Sequence, residues 1–183
     1  QMKAASLYPQ AVAFFASHLT FFDGEAVEWK DVPASMEPAI ELIQPEVFLP
    51  RYASVPGPFL PSFCAVPRQT LDRFGEEPFR LRVAEDVYFV NRLAFIGPVA
   101  FCSAPVGAYR LRPGSLSSNR VSLNEGEVRA FELLEEHKQG LSKELTAAFD
   151  TAFAIKRRRS RACSSEAIIT PNTDITGIAS AIK

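Results

Sequence analysis

Glu85 and Asp86 are adjacent carboxylates at the head of the stretch Arg82-Val-Ala-Glu-Asp-Val-Tyr-Phe-Val-Asn-Arg-Leu-Ala-Phe-Ile-Gly97. An ionised carboxylate can take a proton from a hydroxyl, and one such base is what direct displacement by a hydroxyl requires. Hydrolysis of a glycosidic bond usually uses two separated carboxylates that flank the bond. Neighbours on a helix point about 100° apart, so Glu85 and Asp86 cannot share one task. One can face a cleft while the other faces the neck of the helix. The positive end of a helix dipole favours an ionised carboxylate, which suits a base already deprotonated at neutral pH. The plainer reading of the pair is acidic decoration of a helix N-terminus, the commonest origin of a charged first turn.

The element that must position the pair is legible. Val87, Val90 and Leu93 recur every three residues, and Phe89, Leu93 and Ile96 fall four and three apart, so a helix is expected over 85–96. Gly97-Pro98 is a stop signal. Upstream, the aromatic run Ala11–Phe22 reads as a buried strand, Asp23-Gly24 as a hairpin turn and Val27–Lys30 as the returning strand. Met36–Leu49 reads as a helix weakened by Pro45. Residues 50–61 read as an ordered surface loop, Pro61–Val66 as a short strand, and the segment after Pro67 as a helix that turns Leu71 and Phe74 inward and ends at Gly75. Val99–Cys102 and Val106–Arg110 are expected as two further strands. Helices are expected over 125–138 and 141–155. The hexad Lys156-Arg-Arg-Arg-Ser-Arg161 and the small, polar, aperiodic residues after it read as a mostly disordered basic tail.

Composition narrows the function classes. With 183 residues, 47% of them hydrophobic, the chain can bury one sizeable core. A net charge of −1 gives no global pull toward nucleic acid. Cys64, Cys102 and Cys163 are odd in number and widely spaced, so buried thiols are expected rather than a disulfide framework, and no metal spacing is seen among Cys and His. His18 lies inside the first strand without a partner motif and reads as a core or edge histidine. The uncharged run Leu93–Tyr109 has the length of a membrane span, but Gly97-Pro98 and Pro105 interrupt it. No basic segment precedes an apolar one at the start, so no leader is expected and a cytoplasmic location is.

Taken in order, the apolar Ser-Phe-Cys-Ala-Val strand, Arg68, Leu71, Gly75, the Ala84–Leu93 stretch with its acidic pair, Gly97-Pro98-Val99 and Tyr109-Arg-Leu-Arg-Pro-Gly-Ser-Leu-Ser117 resemble the second half of a family 2 glycosyltransferase of the GT-A fold. The resemblance spans roughly residues 8 to 135. It implies an α/β architecture: a partial GT-A unit, Rossmann-like, with a mixed sheet and flanking helices, its N-terminal nucleotide-binding half missing and C-terminal helices added. The expected division is 1–122 for the acceptor-side unit, 123–155 for a helical extension and 156–183 for the basic tail.

The resemblance also implies an activity, inverting transfer of a sugar from a nucleotide-sugar to an acceptor hydroxyl on a glycan or lipid-linked saccharide. The general base of the family falls on Asp86, with Glu85 as its supporting neighbour. The loop that closes over the diphosphate and acceptor falls on Tyr109, Arg110, Arg112 and Ser115. Members usually hold a divalent metal, Mg or Mn, through an Asp-x-Asp motif after a strand. This chain carries no such motif, so no metal ligand is assigned, and residues 1–183 alone are expected to be inactive. Many relatives carry His in the closing loop where this chain has Arg112, which can bind phosphate oxygens bidentately but cannot ligate a metal. The Gln-x-x-Arg-Trp segment of processive synthases is absent, since the only Trp is Trp29, so transfer of single sugars is the expectation. The rival reading is a non-catalytic α/β binding module that has lost the donor site. For the basic hexad, contact with an anionic membrane surface is the functional expectation, and a nucleic-acid arm is disfavoured because no stacking aromatics accompany it.

Overall fold

The computed structural model describes residues 2–25, 38–55, 59–75, 81, 83–115 and 120–167. At its centre two strands run parallel, β1 (Ala13–Phe22) and β4 (Val99–Leu111). β2 (Ile40–Ile43) pairs antiparallel with β4, and β3 (Cys64–Ala65) antiparallel with β1, which gives a mixed four-stranded sheet in the order β2-β4-β1-β3. The expectation of an α/β chain with a mixed sheet and flanking helices therefore holds.

Alternation along the strands sends side chains to two faces. Ala13, Phe15, Ile43, Val99 and Phe101 face one core, which they share with α2 (Pro45–Ser54), α4 (Glu85–Ala94), α5 (Arg120–Glu135) and α6 (Lys143–Ala167). Phe14 and Ala100 face the other side, under Ala4 of the short α1 (Met2–Leu7) and Ala11. Phe15, Phe48, Tyr52, Phe59 and Phe101 form one aromatic cluster on the larger face. Phe131, Phe149 and Phe153 of α5 and α6 continue the same core. The C-terminal helices are thus built into the hydrophobic interior that supports the sheet.

Several sequence expectations are corrected. The segment read as a helix over 36–49 holds β2 followed by α2. Ile40 and Leu42 share a face as strand residues do, and Pro45, poor inside a helix, stands at its first position where a missing N–H costs nothing. The loop expected over 50–61 gives its first residues to α2, and its Phe59 is fully buried. Of the strand expected over 61–66 only Cys64–Ala65 pairs, after a single 3-10 turn at Pro61–Phe63. On α3 (Arg68–Phe74) Phe74 stacks on Phe89, but Leu71 is exposed and Thr70 is buried instead. The two strands expected after Gly97 are one, since β4 absorbs Pro105 by shifting register against β1 around Ser17. Helix α5 starts before the expected 125–138 span and ends at Glu135. Helix α6 starts after Ser142, whose hydroxyl accepts from the Leu145 amide at 3.1 Å as an N-cap, and it runs on to Ala167. The basic hexad assigned to a disordered tail is therefore helical. The strand expected over 27–30 lies outside the described residues.

Candidate functional site

The acidic pair occupies the first turn of α4, as its sequence predicts. Val87, Tyr88, Phe89, Val90, Leu93 and Ala94 are buried, so the helix is anchored along most of its circumference. Its entry is unusual. Ala84, in the N-cap position, has φ 62° and ψ 28°, the left-handed region, and is the only non-glycine residue described there. That conformation costs an L-residue roughly 1–2 kcal/mol. Packing enforces it: Ala84 is buried, and α5 passes so close that a Cβ at Gly126 would lie 3.0 Å from Val83 Cγ1 and 3.2 Å from Ala84 Cβ. The turn that aims the carboxylates is clamped between α4 and α5.

Asp86 is half-buried. Its Oδ1 accepts from the Val87 amide at 2.8 Å. Burial pushes its pKa up from the ordinary carboxylate value, and the charges of Glu85 and Glu127 add to the rise, while the amides of Val87 and Asp86 oppose it. The helix N-terminus was expected to favour the ionised form. Desolvation outweighs that effect, so Asp86 is a stronger base than an exposed aspartate.

Beneath the pair lies a polar cluster that the sequence reading missed. Lys156 Nζ of α6 donates to Glu127 Oε2 of α5 at 2.8 Å, with only 1% of the lysine side chain and 10% of the glutamate side chain exposed. The Tyr52 ring centroid of α2 is 5.8 Å from the same ammonium. Burial holds the Tyr52 phenol well above its ordinary pKa, and the charges of Asp86 and Glu127 reinforce this. A signal was present. Phe149, Ala152, Phe153 and Lys156 form one apolar stripe that ends in a charge, as do Glu127, Ala130, Phe131 and Leu134.

The other expected site residues gather at the far end of the central ribbon. Arg110 Nη1 lies 3.6 Å from Asp23 Oδ1, with both side chains about half exposed. Tyr109 meets His18 edge-on at 6.0 Å, and His18 stacks on Phe63 at 4.8 Å. Arg112 and Ser115 bracket a turn in which the Ser115 amide donates to the Arg112 carbonyl at 3.4 Å and Gly114 takes φ 74°. The structure brings Tyr109, Arg110, Arg112 and Ser115 together on one strand end and turn, and no described contact joins them to Asp86 or Glu85. The ten residues of α4 extend roughly 15 Å, while the thirteen of β4 extend roughly 40 Å. A helix of that length covers about a third of the strand. Residues 116–119 of the same loop lie outside the described residues.

Among the described residues no three of His, Cys, Asp and Glu come together as a metal site. No helix among the described residues is long and apolar enough to cross a membrane. Comparison with protein-family models, curated proteins and solved structures finds no match.

Proposed function

We propose that the chain is the acceptor-side part of an inverting glycosyltransferase of the family 2, GT-A type, which moves a sugar from a nucleotide-sugar to an acceptor hydroxyl. The observation that carries the reading is Asp86, which stands in the first turn of a firmly anchored helix with one carboxylate oxygen tied to the Val87 amide and a basicity raised by burial. In the proposed reaction the acceptor oxygen attacks the anomeric carbon as its proton passes to Asp86. The bond from that carbon to the diphosphate oxygen breaks on the opposite face, and the nucleoside diphosphate leaves. Glu85, on the adjacent helical direction, supports the helix entry. By the resemblance Arg110 and Arg112, with Tyr109 and Ser115 beside them, would serve the anionic leaving group, although their described contacts are with Asp23 and within their own turn and not with Asp86. Peripheral contact with an anionic membrane that presents lipid-linked acceptors would fall to Arg157, Arg158 and Arg161, which stay exposed on α6.

The test is a transfer assay on the protein encoded by the full reading frame that contains this chain. A panel of nucleotide-sugars is offered with saccharide and lipid-linked acceptors, and the anomeric configuration of the product is read by NMR. Inversion supports single displacement with one base. Retention, or the absence of transfer from every donor, would overturn the reading.

A further inference from the structure

Lys156 and Glu127 form, among the described residues, the ion pair most withdrawn from water. Every other described pair has at least one side chain a quarter or more exposed. A buried pair of this kind is weak evidence for stability, because desolving two charges offsets most of their attraction. Its location suggests another role. Glu127 follows Gly126, the residue against which Val83 and Ala84 are packed, and Asp86 lies two positions beyond Ala84. Lys156 belongs to the α6 segment whose Arg159 is bonded to the carbonyls of Ala53 and Ser54 at the end of α2. The pair therefore stands where α2, α4, α5 and α6 meet, directly under the acidic turn.

We propose that Glu127 and Lys156 are positioning residues for Asp86, the pair fixing the entry of α4 against α5 and α6 and setting the balance of charge around the carboxylate. This rests on the reading of Asp86 as the base. The charged and titratable groups that act on this cluster are Glu85 from α4, Glu127 from α5, Tyr52 from α2, and Lys156 and Arg159 from α6. Glu127 opposes ionisation of Asp86, and the Asp86 charge in turn helps to hold the proton on Lys156. Burial lowers the lysine's own pKa, and Glu127 is the chief influence holding it up. Lys156 has two effects. It neutralises the nearer glutamate, and it leaves Asp86 ionisable beside two other carboxylates.

The experiment is a carbon-13 carboxyl NMR titration of Asp86 in the 183-residue chain, with folding checked by circular dichroism. Glu127→Gln should lower the Asp86 midpoint and Lys156→Met should raise it, each by roughly half a pH unit or more. The double substitution Glu127→Gln/Lys156→Met should bring it back toward the wild-type value. Folded single variants whose Asp86 midpoint equals that of the wild type would overturn the proposal. If a single variant does not fold, the wild-type chain carries the test: the Asp86 carboxyl resonance should show a second inflection where Lys156 Nζ, followed by nitrogen-15, loses its proton. Its absence would overturn the proposal equally. The transferase reading fails separately, through transfer that survives Asp86→Asn, and that outcome leaves the titrations untouched.

Discussion

Arg159 of α6 caps the end of α2: its Nη1 donates to the Ala53 carbonyl at 3.0 Å and its Nη2 to the Ser54 carbonyl at 2.7 Å. The last carbonyls of a helix have no partner within it, and a planar guanidinium can serve two at once. Arg159→Ala should therefore lower the unfolding free energy by about 1–3 kcal/mol in urea denaturation. Arg159→Lys, with one point of charge and no fork, should recover only part of the loss.

On the proposed transferase reading, Asp86→Asn in the full-length protein should cut kcat by about 10²-fold or more, with donor binding by calorimetry little changed, because shape is kept and basicity removed. Glu85→Gln should cost less. Near-normal turnover by Asp86→Asn would remove Asp86 from the role of base.

The same substitution should stabilise the fold at neutral pH. The folded-state pKa of Asp86 is raised by burial above its unfolded value of 3.8, so its ionisation costs stability at every pH above that folded value. Asparagine bears no such cost, and its side-chain oxygen can still accept from the Val87 amide. The gain in Tm should be full at pH 7, shrink as pH falls through the folded pKa, and vanish below the unfolded one. A difference in Tm that does not vary with pH would contradict this account.

His18 offers a test of the ribbon. Its Nδ1 is buried without a partner, and burial lowers its pKa from 6.5. Gly107 is the backbone position that lets Phe63 lie flat there, because a Cβ would overlap the phenyl ring. Gly107→Ala should push Phe63 away from the imidazole, hydrate it, and move the proton-NMR midpoint of His18 back up toward 6.5. An unchanged midpoint would mean that the Phe63 stack is not what dries the ring.

Cys64 should resist thiol reagents. Burial pushes its thiol up to about 12, so the thiolate is scarce at pH 8. Ellman's reagent should label it slowly in the native chain and promptly in guanidinium chloride. Fast native labelling of Cys64, located by mass spectrometry, would overturn this.

What could be read from the sequence was local. The helix of Glu85–Ala94, its Gly97-Pro98 stop and the strand Ala13–Phe22 each carry their full signal within one short window. Elements decided by neighbours were not legible. Ile40 and Ile43 satisfy a three-residue helical spacing, yet the vacant edge of β4 recruits them as a strand. Pro105 marks a break by itself, but the partner strand shifts register around it and β4 continues. The basic hexad suggests a solvated tail until Glu127 and the carbonyls of Ala53 and Ser54, far away along the chain, supply partners. At the site, Asp86 and its helix were readable. The cluster beneath it depended on contacts between helices that no spacing rule connects.

The parallel pairing of β1 with β4 has a consequence for synthesis. Val99, the partner of Ala13, is made 86 residues after it. At about 5–20 residues per second, the apolar Ala11–Ala16 segment waits several seconds without its central neighbour. Closing so distant a pair is slow in refolding as well. The nascent chain therefore passes through an interval in which its most buried strand is open to chaperones and to other nascent copies, so yield on expression should depend on temperature and translation rate more steeply than the stability of the finished fold would suggest.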